Sequence, residues 1–126
     1  MSRHLVDTQA ALWWLADDPR ISPAARAAIS DAGNELLVSV ASLWEIAIKR
    51  QLGKLKAPDD LPDILIEEGF GFLPITARHS WKVQELPLHH RDPFDRLLIT
   101  QGTVEALPII TADPRFGAYD TVRVLW

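Results

Sequence analysis

The sequence predicts an α/β fold: a mainly parallel central sheet with helices packed on both faces, giving three α/β/α layers. Three observations carry this expectation. Short apolar runs of strand length alternate with amphipathic stretches of helix length along the whole chain. Such alternation marks strand–helix–strand units, whose strands lie parallel and are covered on both sides. No repeat, low-complexity tract or linker interrupts it, so residues 1–126 are expected to form one domain.

The elements follow in order. Residues 3–6 are a short apolar entry that stops at Asp7 and reads as the first strand. Residues 8–16 read as a helix, with Ala10, Ala11, Leu12, Trp13, Trp14 and Leu15 giving a broad apolar face. Ser22-Pro23 is a cap followed by a first-turn proline, and Gly33 suits a helix end, which brackets a second helix. Residues 35–40 read as a buried strand, and 42–52 as a helix ending at Gly53. A basic, polar loop over 54–58 precedes a helix at 61–68, closed by Gly69, and a short strand at 72–75. Thr76 suits the cap of a helix over 77–86. The next helix spans 93–105: Asp92 looks like its N-cap, Pro93 suits the first position, and Asp95 falls where a capping box puts its acid. Strands at 108–111 and 121–125 follow.

Composition narrows the function. Apolar residues make up 48% and charged residues 24%, an ordinary globular balance. With no cysteine there is no disulfide framework and no thiolate metal site, which suits a reducing compartment. No apolar run approaches the roughly 20 residues of a membrane span. The N-terminus lacks a signal peptide's basic start and apolar core. A cytoplasmic protein with no membrane association is the expectation. A net charge of −4 argues against a general nucleic-acid binder. It does not if the excess acid is concentrated in a cation site, because a bound cation reverses the local field.

The acids recur where strands finish. Asp7 follows Leu5-Val6, Glu45 lies about a turn beyond the second strand, and Asp113 stands just after Ile109-Ile110-Thr111. Asp92 and Asp95 open the helix that leads into that last run. In open α/β sheets, ligands sit outside the carboxyl ends of the strands, so these acids are candidates for one shared edge. Each also has a local reading. Asp7 could cap its helix, and Asp113 could make an Asx turn with Pro114. Glu45 fits a capping box with Ser42 and a helical pair with Lys49. Local readings do not explain why all of them should converge. Clustered carboxylates could not all ionise without a cation. Oxygen-only ligands favour Mg2+ or Mn2+ over Zn2+, and such sites commonly serve phosphate chemistry.

The stretches "LVDTQAALWWLADDPRIS", "VSVASLWEIAIKRQLGKL", "LPITARHS" and "LPLHHRDPFDRLLITQGTVEALPIITADPRF" together resemble the PIN-domain family. More narrowly, they resemble the VapC-type toxins of bacterial toxin–antitoxin pairs. The resemblance implies an α/β/α domain that cuts RNA, with structured RNA such as tRNA or rRNA as the expected class, using Mg2+ or Mn2+. By position it implies Asp7 and Asp95 as principal metal ligands, with Glu45 and Asp113 completing the catalytic set. Thr111 matches the family's hydroxyl residue and would orient a carboxylate or water, while Asp92 would support from the helix cap. Gln9 departs from the histidine often found there. A homodimer and an antitoxin partner are implied as well. The antitoxin would block the acidic site, and exposed tryptophans among the five would serve such surfaces.

Phosphate contacts are expected from Lys49, Arg50, Lys54 and Lys56, and from Arg91 and Arg96 beside the third acid. Each is equally compatible with a solvated face. His89-His90 could touch RNA or be plain loop, and plain loop is favoured because no ligand spacing supports them. Rival readings are a housekeeping RNA-processing nuclease of the same family, a catalytically silent RNA- or protein-binding domain, and an aspartate-dependent phosphatase or phospho-receiver. Gln9 stands where the phosphatase needs its second Asp. The receiver's late lysine is missing, since no lysine follows Lys82.

Overall fold

Short-range capping sets most element boundaries in the computed structural model, which describes residues 2–126. Strand β1 (Arg3–Val6) ends at Asp7, whose carboxylate accepts the Ala10 amide and starts helix α1 (Thr8–Leu15). Ser22 accepts the Ala25 amide ahead of α2 (Pro23–Ser30), with Pro23 in the first turn. Strand β2 (Glu35–Ser39) runs directly into α3 (Val40–Gln51). Helix α4 (Leu61–Glu67), strand β3 (Phe70–Leu73) and α5 (Ala77–Lys82) follow. Asp92 caps α6 (Pro93–Val104) by accepting the Asp95 amide. The chain then passes through β4 (Ile109–Ile110) and β5 (Val124–Leu125).

Several boundaries differ from the sequence reading. Helix α3 starts at Val40 because Ser39, not a later residue, supplies the cap by accepting the Ala41 amide. Ser42 therefore lies inside the helix, 2.8 Å from the Thr8 hydroxyl, and the Ser42–Glu45 capping box does not form. Strand β3 lies two residues early. Gly69, at φ +95°, turns the chain out of α4 so that Phe70 pairs opposite Leu36, and Pro74 follows the strand without an N–H to donate. A 3-10 helix over Pro114–Ala118, unforeseen in the sequence, separates β4 from β5.

The five strands form one sheet in the order β3-β2-β1-β4-β5, and every pairing is parallel. Strand β1 is central. The chain builds outward through β2 to β3, then crosses back to place β4 on the other side of β1. That reversal opens a crevice at the carboxyl ends of β1 and β4, where Asp7 and Thr111 emerge.

Alternating strand side chains divide the core into two layers. Val6, Leu36, Val38 and Ile110 pack beneath Ala10 and Ala11 of α1, Ala25 and Ile29 of α2, Ile46 of α3 and Leu61 and Leu65 of α4. Leu5, Leu37 and Ile109 face Leu98 and Ile99 of α6, with Phe116 and Tyr119. The six helices among the described residues thus enclose the sheet, giving the three-layer arrangement. Full burial of each large side chain contributes about 1.5–3 kcal/mol. None of these helices is long and apolar enough to cross a membrane. Trp44 and Trp81 remain exposed, whereas Trp13, Trp14 and Trp126 are half-buried.

Helix α6 lies close over the sheet at Gly102. A Cβ there would stand 3.0 Å from Ile109 Cδ1 and 3.1 Å from the Leu107 carbonyl oxygen. The carbonyl is backbone and cannot swing aside. Gly102→Ala is expected to lower stability by about 1–3 kcal/mol despite alanine's better helix propensity. Chemical denaturation checks this, and an unchanged or higher midpoint would show that α6 can lift away.

Candidate active site

The crevice between β1 and β4 is built from residues that local structure already holds. Asp7 accepts the Ala10 amide at 2.7 Å through Oδ1, and the Thr111 hydroxyl donates to Oδ2. Thr111 Oγ1 in turn accepts the Asp113 amide at 3.0 Å. One buried hydroxyl therefore links the first acid to the backbone of the last. Burial pushes the Asp7 carboxyl up to about 6, with help from the Asp113 and Glu45 charges; the bonds from Thr111 and Ala10 resist the rise.

Glu45 reaches the crevice from the second turn of α3. Its Oε1 accepts the Thr8 hydroxyl at 2.9 Å, and its Oε2 meets Lys49 Nζ at 2.6 Å. That pair, four residues apart on one helix, raises the Lys49 pKa. Asp92 holds the start of α6, so the Asp95 carboxylate, one turn on, is directed at the other acids. Burial first, then the charges of Asp92, Asp113 and Glu45, push Asp95 up to about 7. Asp113 caps the 3-10 helix by accepting the Arg115 amide, and the Arg115 guanidinium at 2.7 Å holds its carboxyl below the usual range.

Asp7, Glu45, Asp92, Asp95 and Asp113 all line one open cleft of about 370 Å³. Thr8, Gln9 and Lys49 line it too. The other predicted cations do not join them. Arg50 is exposed and paired with Asp59 at 2.5 Å, and Lys54 and Arg91 are exposed outside the cleft. Arg96 needs a correction. It is buried, with Nη1 donating to the Pro87 carbonyl at 2.9 Å and Nη2 to the Val83 carbonyl at 3.3 Å, so it holds a loop and does not offer charge to a phosphate.

One cleft residue escapes the sequence reading, which favours plain loop for His90. Arg115 lines the cleft. Its only signal is a basic residue two positions after the strand-end acid, in "DPR". The His90 ring is nearly enclosed, bonded to the Tyr119 hydroxyl at 2.9 Å, with Nε2 3.5 Å from Asp95 Oδ2. His89, by contrast, is exposed and edge-on to Tyr119.

The donor set suits a hard divalent cation: several carboxylates, no thiolate, and two acids whose ionisation is opposed first by burial and then by the neighbouring carboxylates. Among the described residues, no three His, Asp or Glu side chains already stand in ligating geometry. The side-chain partners explain this: Asp113 is turned onto Arg115, and Glu45 onto Lys49 and Thr8.

Fold and cleft together define the class, a parallel α/β domain with a carboxylate cluster at the reversal point of its sheet. The family model described as PIN domain matches residues 4–122, and the chain belongs to the PIN-domain family. It is similar to Ribonuclease VapC16 of Mycobacterium tuberculosis, 39% identical over 59 residues, which cover 44% of this chain and 42% of that protein. The chain thus matches less than half the length of that relative. Among solved structures it resembles a chain of VapBC2 from Rickettsia felis bound to a promoter DNA fragment, with TM-score 0.74 and 14% identity over 97% of this chain and 96% of that one. DNA-bound VapBC from Salmonella typhimurium gives TM-score 0.68 and 13% identity over 98% and 97%. VapBC-5 from Mycobacterium tuberculosis gives 0.61 and 20% over 98% of both chains. At these identities the structural likenesses speak for the fold.

Proposed function

We propose that the chain is a Mg2+- or Mn2+-dependent endoribonuclease that acts as the toxin of a toxin–antitoxin pair. The observation that carries this reading is the convergence of Asp7, Glu45, Asp95 and Asp113 on one cleft, where burial and the neighbouring carboxylates oppose the ionisation of Asp7 and Asp95. The similarity to a protein named as a ribonuclease supports the choice of RNA. Likeness to chains from VapBC complexes supports an antitoxin partner, which would cover the cleft. The exposed Trp44 and Trp81 offer apolar surface for that partner or for a second copy in a homodimer.

Asp7 and Asp95 would hold the cation, with Glu45 and Asp113 completing the site. When bound, the divalent cation supplies positive charge to a phosphate and makes a water more acidic. The chain does the rest. Thr111 fixes the rotamer of Asp7 by donating to it, and the Asp92 cap aims the start of α6 into the cleft. Thr8 holds Glu45 with its second oxygen toward Lys49. No side chain here suggests a covalent enzyme intermediate.

The test is incubation of the purified protein with a pool of structured RNAs, with Mn2+ or with EDTA, beside Asp7→Asn. The amide keeps the cap bond to Ala10 but removes the charge. Cleavage that requires Mn2+ and is lost in the variant is the expected result. Cleavage that persists in EDTA, or equally in the variant, would overturn the reading.

A further inference from the structure

Arg115 faces two of the acids, Asp113 at the cap of its own 3-10 helix and Asp95 on α6. Its Nη2 lies 2.7 Å from Asp113 Oδ2 and 3.6 Å from Asp95 Oδ2, and its Nε reaches both Asp113 oxygens at 3.1 and 3.2 Å. The guanidinium therefore spans the gap between two acids held on different elements, one before the 3-10 helix and one in α6. It does in the free chain part of what a divalent cation would do, and its positive charge competes with such a cation for the same two carboxylates. The side chain is still 57% exposed, on a short 3-10 helix at the cleft mouth. Exposed ion pairs are weak, so a divalent cation can take these carboxylates from it. The planar fork then fits a phosphate as well as it fits a carboxylate. Lys49 differs, being a point charge paired to one acid of its own helix.

We propose that Arg115 exchanges partners: a divalent cation entering the cleft displaces its guanidinium from Asp113 and Asp95, and the released guanidinium binds a phosphate of the RNA. The inference rests on the nuclease reading and adds a substrate-binding residue and a built-in competitor to it. Its test has two arms on Arg115→Ala and Arg115→Lys, each first checked for an unchanged thermal midpoint. In the first, Mn2+ is titrated calorimetrically without RNA. Arg115→Ala should bind roughly three- to tenfold more tightly than wild type, with Arg115→Lys between them. In the second, RNA cleavage is measured at saturating Mn2+. The KM of Arg115→Ala should rise by about tenfold, with kcat changed much less. Mn2+ affinity no tighter than wild type, or an unmoved KM, overturns the exchange and leaves the nuclease reading standing. A wild-type chain that takes up no Mn2+ overturns both.

Discussion

If the proposed function holds, Asp95→Asn is expected to abolish the proposed metal-dependent RNA cleavage, by roughly 10³-fold or more, and to raise the melting temperature of the metal-free chain at pH 8. The two effects have one cause. Asp95 is pushed up to about 7 by burial and by Asp92, Asp113 and Glu45, so at pH 8 the folded chain carries its charge at a cost. Folding therefore favours the protonated form. Below about pH 4 both states hold the proton and no penalty applies. Between about 4 and 7 the folded state binds the extra proton, so stability falls as pH rises through that window. Above it the full penalty is present. Asn keeps the shape without the charge and should recover about 1–2 kcal/mol, since water still reaches the carboxylate, or several degrees in Tm. Asp7, raised to about 6, adds to the same trend over a narrower range. Mn2+ should stabilise the wild type and leave Asp95→Asn unmoved. Thermal melts in EDTA and in Mn2+ at pH 5 and pH 8 read all of this. A lower Tm for the variant at pH 8 in EDTA would mean that the contacts with His90 and Arg115 outweigh the burial of charge.

Arg96→Ala is expected to cost about 3–5 kcal/mol of stability, among the largest effects of any single change in the chain. The guanidinium is bonded to the carbonyls of Val83, Leu86, Pro87 and His90 and to the Tyr119 hydroxyl. Truncation strands these acceptors and leaves a void beneath the loop that positions His90 against Asp95. Lysine should not rescue it, because one ammonium cannot reach carbonyls from both ends of the loop. Denaturant unfolding measures the loss. A variant with unchanged stability and weakened RNA binding would return Arg96 to the role its sequence position suggested.

The contrast between Arg96 and Arg115 shows where sequence reasoning stops. In "RDPFDR" the cap at Asp92 and the helical reach of Asp95 follow from neighbours within four residues, so both were legible. Arg91 and Arg96 look alike in the same stretch, yet one is exposed and the other buried. Arg91 lies in the loop ahead of the cap, whereas Arg96 sits on α6 and is turned onto the carbonyls of Val83 and Pro87. Thr111 was legible as a hydroxyl two residues before the last acid, but its bond to Asp7 requires β1 and β4 to be neighbours. The displaced start of α3 has the opposite origin: Ser39 and Ser42 offer competing caps, and the length of β2 chooses between them.

By itself the sequence determined the α/β alternation, the acidic caps at Asp7 and Asp92, and the oxygen-only chemistry of the acids. These depend on periodicity and on hydrogen bonds within a turn of chain. Only the tertiary structure decided the strand order that sets β1 beside β4, and with it which cations face the acids. Arg115 meets Asp95 across 20 residues of chain, and Thr111 meets Asp7 across 104, so both contacts depend on how separate elements pack.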